Sequence, residues 1–305
     1  MGPTASGKTD VAIALCERFP LQIISVDSAL VYRGMNIGTA KPDTDTLRRA
    51  PHRLINIREP HEKYSAGEFV RDAEKAMHEI WADGDIPLLV GGTMLYFRAL
   101  TEGIAELPAG DAEVRAQIDA DAERLGWPAM HAKLAEIDAI AAARINANDS
   151  QRIQRALEVF AVSGRTLSEW QDAPTQPTDA QFIKIALQPE RAVLHERIEQ
   201  RLDAMLANGF LEEVTKLMQE PKLDRELPSM RAVGYRQIWT HLAGELTREE
   251  GRYRALVATR QLAKRQVTWL RSETDLFSVN PLEGDAIAAI STFLASKGGI
   301  FAIPK

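Results

Sequence analysis

Eight residues at the start of the chain constrain its fold more than any others. Gly2-Pro3-Thr4-Ala5-Ser6-Gly7-Lys8-Thr9 matches G-x-x-x-x-G-K-[ST] and runs straight into the helical stretch TDVAIALCERF. In such a loop the glycines let the backbone curl until its N–H groups converge on phosphate oxygens. Lys8 adds a point charge, and the Thr9 hydroxyl is placed to ligate Mg²⁺. The positive N-terminal end of the following helix adds to the attraction. A loop of this kind belongs between a parallel strand and a helix, so it selects a layered α/β core. Only Met1 precedes Gly2. The strand that should feed the loop is absent from the sequence, and the expectation is a trimmed or misplaced start and a poorly anchored loop.

The pattern downstream agrees with that class. LQIISVD (21–27) and IPLLVGG (86–92) are short apolar runs ending in polar or glycine residues, and they read as buried parallel strands. Residues 9–19 and 66–82 are helical by period. The expected architecture is a P-loop NTPase-like parallel sheet core with helices on both faces. Residues 111–163 are Ala-rich and periodic without a strand candidate, which predicts an all-helical insertion domain. DAPTQPTDAQ (172–181) is a linker by composition, and FIKIAL (182–187) returns to strand pattern. RAVLHERIEQRL (191–202) and about 248–271 predict helices, and SKGGIFAIPK reads as a frayed tail. Residues 1–107 and 182–305 thus form the expected catalytic core, with the helical insertion and its linker at 108–181.

Composition narrows the function classes. The chain of 305 residues is 45% hydrophobic and 26% charged, enough for a sizeable core and against general disorder. No apolar run reaches about 18 residues, and no signal peptide is visible, so a membrane role is not expected. The lone Cys16 forms no internal disulfide, builds no multi-Cys zinc site, and fits a cytoplasmic protein. The six histidines form no ligand-spaced pair. A net charge of -6 excludes a uniformly basic coat, but the charge is polarised. Glu106 to Asp149 carries nine acids and four bases, whereas Arg225 to Arg271 carries ten bases and four acids. A phosphate-binding face is expected on the second segment and not on the first.

The loop alone does not say what carries the phosphates. IPLLVGGT ends in Gly91-Gly92-Thr93, without the acid that many P-loop proteins place there. The acid sits at the end of the other strand, Ser25-Val26-Asp27-Ser28. Strand C-terminal ends line the site in open α/β sheets, so Asp27 belongs near the reacting centre. It fits a Mg²⁺ ligand, a proton acceptor or a helix cap.

Six further stretches carry a resemblance: IISVDSALVYRGMNIGTAKP (23–42), PHRLINI (51–57), LLVGGTMLYFRAL (88–100), DSQRIQRALEVF (149–160), RAVGYRQIW (231–239) and ATRQLAKRQVTWLR (258–271). With the P-loop they resemble the tRNA dimethylallyltransferases, in the right order from Gly2 to about Arg271. One cysteine leaves no room for the C-terminal zinc finger of eukaryotic members, so the bacterial form is the nearer likeness. The resemblance implies transfer of a dimethylallyl group from dimethylallyl diphosphate to N6 of the adenosine just 3′ of the anticodon, in tRNAs reading codons that begin with U. It implies Mg²⁺ as cofactor and the anticodon stem-loop as partner. A monomer is expected, because one protein can cover one anticodon arm. The motif invites an ATP-binding label, but the chemistry has no need of ATP.

By resemblance Asp27 is the base, Thr93 a second substrate contact, and Lys8 with Arg201 the grip on the diphosphate. Arg197 shares a helix face with Arg201. Four stretches are implied to contact tRNA. They are Asp27-Ser28-Ala29-Leu30, Gln151-Arg152-Ile153-Gln154-Arg155, Arg231-Ala232-Val233-Gly234-Tyr235-Arg236 and Lys264-Arg265-Gln266-Val267-Thr268-Trp269-Leu270-Arg271. Arg115 is a further candidate. Tyr235 could stack on a base, while Arg260, Lys264, Thr268 and Arg271 fall on one helical face suited to phosphates. Three other readings use some of the same residues. A small-molecule P-loop kinase has no need of the basic 225–271 segment. An adenylate isopentenyltransferase tends to be shorter and to lack the insertion. A P-loop switch or RNA-binding adaptor has no special use for Asp27.

Overall fold

The computed structural model describes residues 1–173, 175 and 177–297. It divides the chain into two units, Met1–Arg98 with Asp179–Lys305, and Ala99–Thr178. The tail from 298 onward and two positions of the expected linker lie outside the described residues. In chain order the elements are α1 (Lys8–Cys16), β1 (Leu21–Val26), α2 (Thr44–Arg49), β2 (His52–Arg53), α3 (Ala66–Ala82), β3 (Ile86–Gly91) and α4 (Met94–Glu102). The helices α5 (Ala112–Leu125), α6 (Trp127–Ile137), α7 (Ala139–Arg144), α8 (Ser150–Ser163) and α9 (Leu167–Gln171) follow. The chain then continues through β4 (Lys184–Leu187), α10 (Arg191–Ala207), α11 (Phe210–Met218), α12 (Tyr235–Leu242), α13 (Arg248–Leu270), β5 (Leu276–Val279) and α14 (Ala286–Ser296). Among the described residues no helix is long and apolar enough to cross a membrane.

In the first unit the pairings are all parallel, in two sheets ordered β2-β1-β3 and β4-β5. β1 lies between two partners, and Ile23, Ile24 and Val26 are buried accordingly. It runs beside β3 from Leu21–Ile86 to Val26–Gly91. A Cβ on Gly91 would come within 1.9 Å of Val26 O, so only glycine lets the two strand ends meet. α3 shows why the local pattern holds. Ser65 and Glu68 form a capping box, and Phe69, Ala73, Ala76, Met77 and Ile80 make one buried stripe. β5 and the two-residue β2 escape sequence reading because they are too short to carry a period.

Main-chain groups of Met1 bond to β4: its amino group donates to Ile185 O at 2.7 Å, and its carbonyl accepts from Leu187 N at 3.0 Å. Among the described residues no strand precedes the loop.

The second unit is all helical. Its core gathers Ile118, Met130, Leu134, Ile153 and Leu157. Its boundaries fall at 98/99 and 178/179, ahead of the positions suggested by composition, because the lead-in is bonded to the helices. Pro108 O accepts from Arg155 Nη2 at 2.7 Å, and Glu102 O accepts from Thr175 Oγ1 at 2.9 Å. Glu158 is the unusual residue here: its side chain is fully buried, at 0% exposure. It accepts from Arg115 Nε at 2.7 Å, Arg155 Nη1 at 2.6 Å and Asp111 N at 2.8 Å. Burial works against its ionisation, but these hydrogen bonds prevail and hold the carboxyl below the usual glutamate range.

Arg115 and Arg155, both expected to meet RNA, are engaged here within the protein. Both guanidinium groups neutralise a buried carboxylate. A depressed carboxylate pKa stabilises the fold above the ordinary glutamate value, and that contribution is lost as pH falls through the lowered one. Glu158→Ala leaves two arginines unneutralised and is expected to cost about 3–5 kcal/mol, read by urea unfolding. Glu158→Gln should flatten the acid limb of the stability profile below about pH 5, read by the same titration.

Candidate active site

The P-loop is held from several sides, which corrects the expectation of a poorly anchored loop. Ala5 and Gly7 both adopt positive φ, 63° and 85°. For Ala5 that conformation is strained and persists only when its surroundings impose it. Arg197 Nε of α10 donates to Ala5 O at 2.9 Å, and Arg201 Nη2, one turn on, donates to Thr4 Oγ1. From α13, Gln266 Oε1 accepts from Thr4 N at 2.8 Å. Lys8 Nζ donates to Pro3 O at 2.6 Å, and Ser6 Oγ is buried without a partner among the described residues. The N–H groups of the first turn of α1 have no intrahelical acceptor.

The loop is therefore surrounded by cationic groups in a partly desolvated place. Burial lowers the Lys8 ammonium to about 8, with Asp27 opposing the shift and Arg201 reinforcing it. Burial also lowers Arg201, again opposed by Asp27. An anion of high charge would relieve both.

Asp27 sits at the end of β1 in a turn and not at a helix start, so the cap reading is replaced. Its Oδ1 accepts from Ala29 N at 2.8 Å and Leu30 N at 3.2 Å. Thr93 follows β3, and its Oγ1 accepts from Ser28 N at 3.0 Å while its own N–H donates to Val26 O at 3.2 Å. The two strand ends are thus laced together by the residues that the sequence singled out.

A cavity of about 560 Å³ opens onto them. Thr4, Asp27, Ser28, Ala29, Thr93 and Arg201 line it, together with the run from Arg231 to Tyr235 and with Arg265, Gln266 and Trp269. Ile198, Leu202, Met205, Phe210 and Leu262 supply apolar lining. Lys8 and Thr9 are half-buried and not part of the lining, and Lys264, Thr268, Arg271 and Arg236 are exposed outside it.

Several assigned residues are buried or already bonded within the protein. Tyr235 could not stack on a base: its ring is fully buried against Phe210, edge-on at 5.1 Å, and its hydroxyl donates to Glu213. Ile153 and Leu270 are core residues at 0% and 1% exposure. Gln266 is buried and spends its amide on Thr4 N and, from Nε2, on Gly92 O at 2.8 Å. Gln154 Nε2 donates to Asp119 at 2.6 Å, leaving Gln151 and Arg152 as the exposed members of that stretch. Arg260, expected in the basic stripe, donates from Nη2 to Glu199 at 2.9 Å. The reason is common to these cases. Whole stretches were assigned as runs, whereas a helix turns each successive residue by about 100° and sends part of any run inward.

Three residues were not found by sequence reading. Tyr64 lines the cavity, with the Arg58 guanidinium 4.9 Å from its ring centroid. Lys41 Nζ donates at 2.6 Å to both Tyr32 O and Asn56 Oδ1, and burial lowers it to about 8 against the pull of Glu213 and Asp27. Glu213 holds the loop before Lys41. Lys41 lies within the stretch 23–42 that carries the resemblance, but nothing in its neighbours announces its bonds, and Tyr64 and Glu213 stand in no such stretch.

Comparison with known proteins places the chain in a family. The family model described as IPP transferase matches residues 30–273. A relative from Paraburkholderia xenovorans (strain LB400) named tRNA dimethylallyltransferase is 55% identical over 295 residues, 95% of this chain and 94% of its own. Among solved structures, the tRNA isopentenylpyrophosphate transferase from Bacillus halodurans is 35% identical with a TM-score of 0.72, covering 97% of this chain and 94% of that one. A eukaryotic dimethylallyltransferase acting on tRNA is 26% identical with a TM-score of 0.78, covering 98% and 79%. The chain belongs to the IPP transferase family.

Proposed function

We propose that the protein transfers the dimethylallyl group of dimethylallyl diphosphate to N6 of the adenosine 3′ of the anticodon, in tRNAs reading codons that begin with U. One observation carries the reading: a P-loop residue, the carboxylate Asp27 and the cation Arg201 line the same cavity as apolar side chains and Arg265. A kinase reading accounts for the loop but gives the basic, apolar remainder no task.

The chemistry assigns each group a role. The exocyclic amine is barely basic, because its lone pair is delocalised into the ring, so it needs an acceptor for its proton as the new bond forms. Asp27 takes that proton. Its turn hydrogen bonds both fall on Oδ1, and they fix the direction of the carboxylate. The N6–C1 bond forms, the C1–O bond breaks, and diphosphate departs with the bonding pair. The loop N–H groups, Lys8 and Arg201 stabilise the charge that grows on its bridging oxygen. Thr93 orders Ser28 beside Asp27. Tyr64 and Trp269 offer half-buried aromatic faces to an extruded base. Lys264, Thr268 and Arg271 meet phosphates outside the cavity.

A Mg²⁺ ion suits the donors present. The Thr9 hydroxyl is a hard oxygen ligand of the kind Mg²⁺ takes alongside phosphate oxygens. Thr9 would hold such an ion together with the diphosphate, and the ion would supply counter-charge to the leaving group. The reading has the protein acting as a cytoplasmic monomer.

The test incubates the protein with Mg²⁺, radiolabelled dimethylallyl diphosphate and an anticodon stem-loop carrying A-A-A around the target base, with AMP in a parallel tube. Label in the stem-loop is expected. Label in AMP alone, or in neither, overturns the reading. Asp27→Asn keeps an oxygen for Ala29 and Leu30 but accepts no proton, so kcat should fall by about 10²–10⁴-fold with the KM for RNA little changed. Lys8→Met removes a desolvated charge. A lysine lowered by burial costs stability below its folded pKa, and the cost vanishes as pH rises toward the unfolded value. The unliganded variant should therefore melt a few degrees above wild type below pH 8, with the gap closing at higher pH. It should gain less Tm than wild type from added pyrophosphate.

A further inference from the structure

We infer that Glu213 is a positioning residue for this reaction, holding two wall segments of the cavity in register through one carboxylate. The inference rests on the reading that the cavity receives the target adenine beside Asp27. Glu213 stands on α11, outside the cavity lining. Its Oε2 accepts from Asn36 N at 2.9 Å and Ile37 N at 2.8 Å, and its Oε1 accepts from Gly38 N at 3.1 Å and from the Tyr235 hydroxyl. A carboxylate offers about four lone-pair sites, and all four are taken. Three consecutive backbone N–H groups converging on an anion form a nest, here filled by a side chain 177 positions away.

The donors belong to two different stretches of wall. Gly38 and Thr39 line the cavity and lead back through Tyr32 and Ala29 to Asp27. Tyr235 ends the run that begins at Arg231. Packing reinforces the clamp. A Cβ on Gly38 would lie 2.1 Å from Phe210 and 2.6 Å from Tyr235, so the loop lies directly on these rings. Burial and the adjacent carboxylate push the Tyr235 hydroxyl well above the ordinary tyrosine value, and it remains a donor. At the other end of the turn Lys41 N donates to Asn36 O at 2.9 Å, and Lys41 Nζ ties the turn back to Tyr32 O.

Glu213 moves no proton, since every lone pair is spent. Its effect on the reaction passes through the placement of the segment from Asp27 to Thr39 against the segment from Arg231 to Tyr235. The hydrogen bonds that hold the P-loop come from β4 through Met1, from α10 and from α13, and none comes from α11. Loss of the clamp should therefore separate turnover from diphosphate binding. A purely structural role would not make that separation.

The experiment compares full-length wild type, Glu213→Gln, Tyr235→Phe and the double variant. It measures kcat and KM with the anticodon stem-loop, the Kd of inorganic pyrophosphate with Mg²⁺, and amide hydrogen exchange over 28–39 and 229–236. For Glu213→Gln, kcat should fall about 100-fold, as misplacement of a reacting group by about 1 Å does. Pyrophosphate affinity should hold, and exchange should quicken in both segments together. Tyr235→Phe leaves the backbone donors paired and should lose about tenfold in kcat. Added to Glu213→Gln it should lose nothing more. Wild-type kcat in Glu213→Gln overturns the inference. So does parallel loss of pyrophosphate binding, or faster exchange in one segment only. Should Glu213→Gln not accumulate, wild-type kcat in Tyr235→Phe overturns it as well. A wild-type protein that labels no RNA refutes the functional reading instead, and the exchange data still decide whether the clamp exists.

Discussion

The arrangement depends on the two hydrogen bonds made by Gln266. Its amide accepts from Thr4 N in the P-loop and donates to Gly92 O in the turn after β3, both at 2.8 Å. The side chain is buried, so both polar ends must be paired, and both are. An amide bonded at each end joins two backbones much as one rung of a β-ladder does. It sets the phosphate loop beside the strand ends that carry Asp27 and Thr93. A Cβ on Gly92 would lie 2.4 Å from Gln266 Nε2, so the glycine after β3 is what makes room for the joint.

Around that joint the electrostatics are arranged for an anion. Lys8 and Arg201 are both shifted toward their neutral forms by burial, each countered by Asp27. Groups held in such a state are costly to the empty fold and useful to a charged ligand, a common trade at functional sites. The helical unit handles its charges differently. Glu158 with Arg115 and Arg155 closes on itself, and the remaining surface there is acid-rich.

Sequence pattern and structure agree where the information is local. The strands at 21–26 and 86–91, the helix at 66–82 and the long helix near 248–270 follow from period and capping, which act over a few residues. The P-loop and Asp27 were legible for the same reason: a spacing within eight residues and an acid at a strand end are short-range facts. The expectation of a poorly anchored loop failed because Arg197, Arg201 and Gln266 supply its anchors from α10 and α13.

The fold class, the phosphate loop, the acid at the end of β1 and the basic C-terminal segment are written in short runs of neighbouring residues. Packing chose which members of each motif stay open to a ligand. It turned Tyr235, Ile153 and Leu270 inward and engaged Arg115, Arg155 and Arg260 in ion pairs. It also disclosed Glu213, Lys41 and Tyr64. The physical reason is range. Helical period and loop spacing are written over neighbouring residues, whereas the partner of a buried polar group is chosen by packing. Here that choice spans 262 positions for Gln266 with Thr4 and 177 for Glu213 with Asn36.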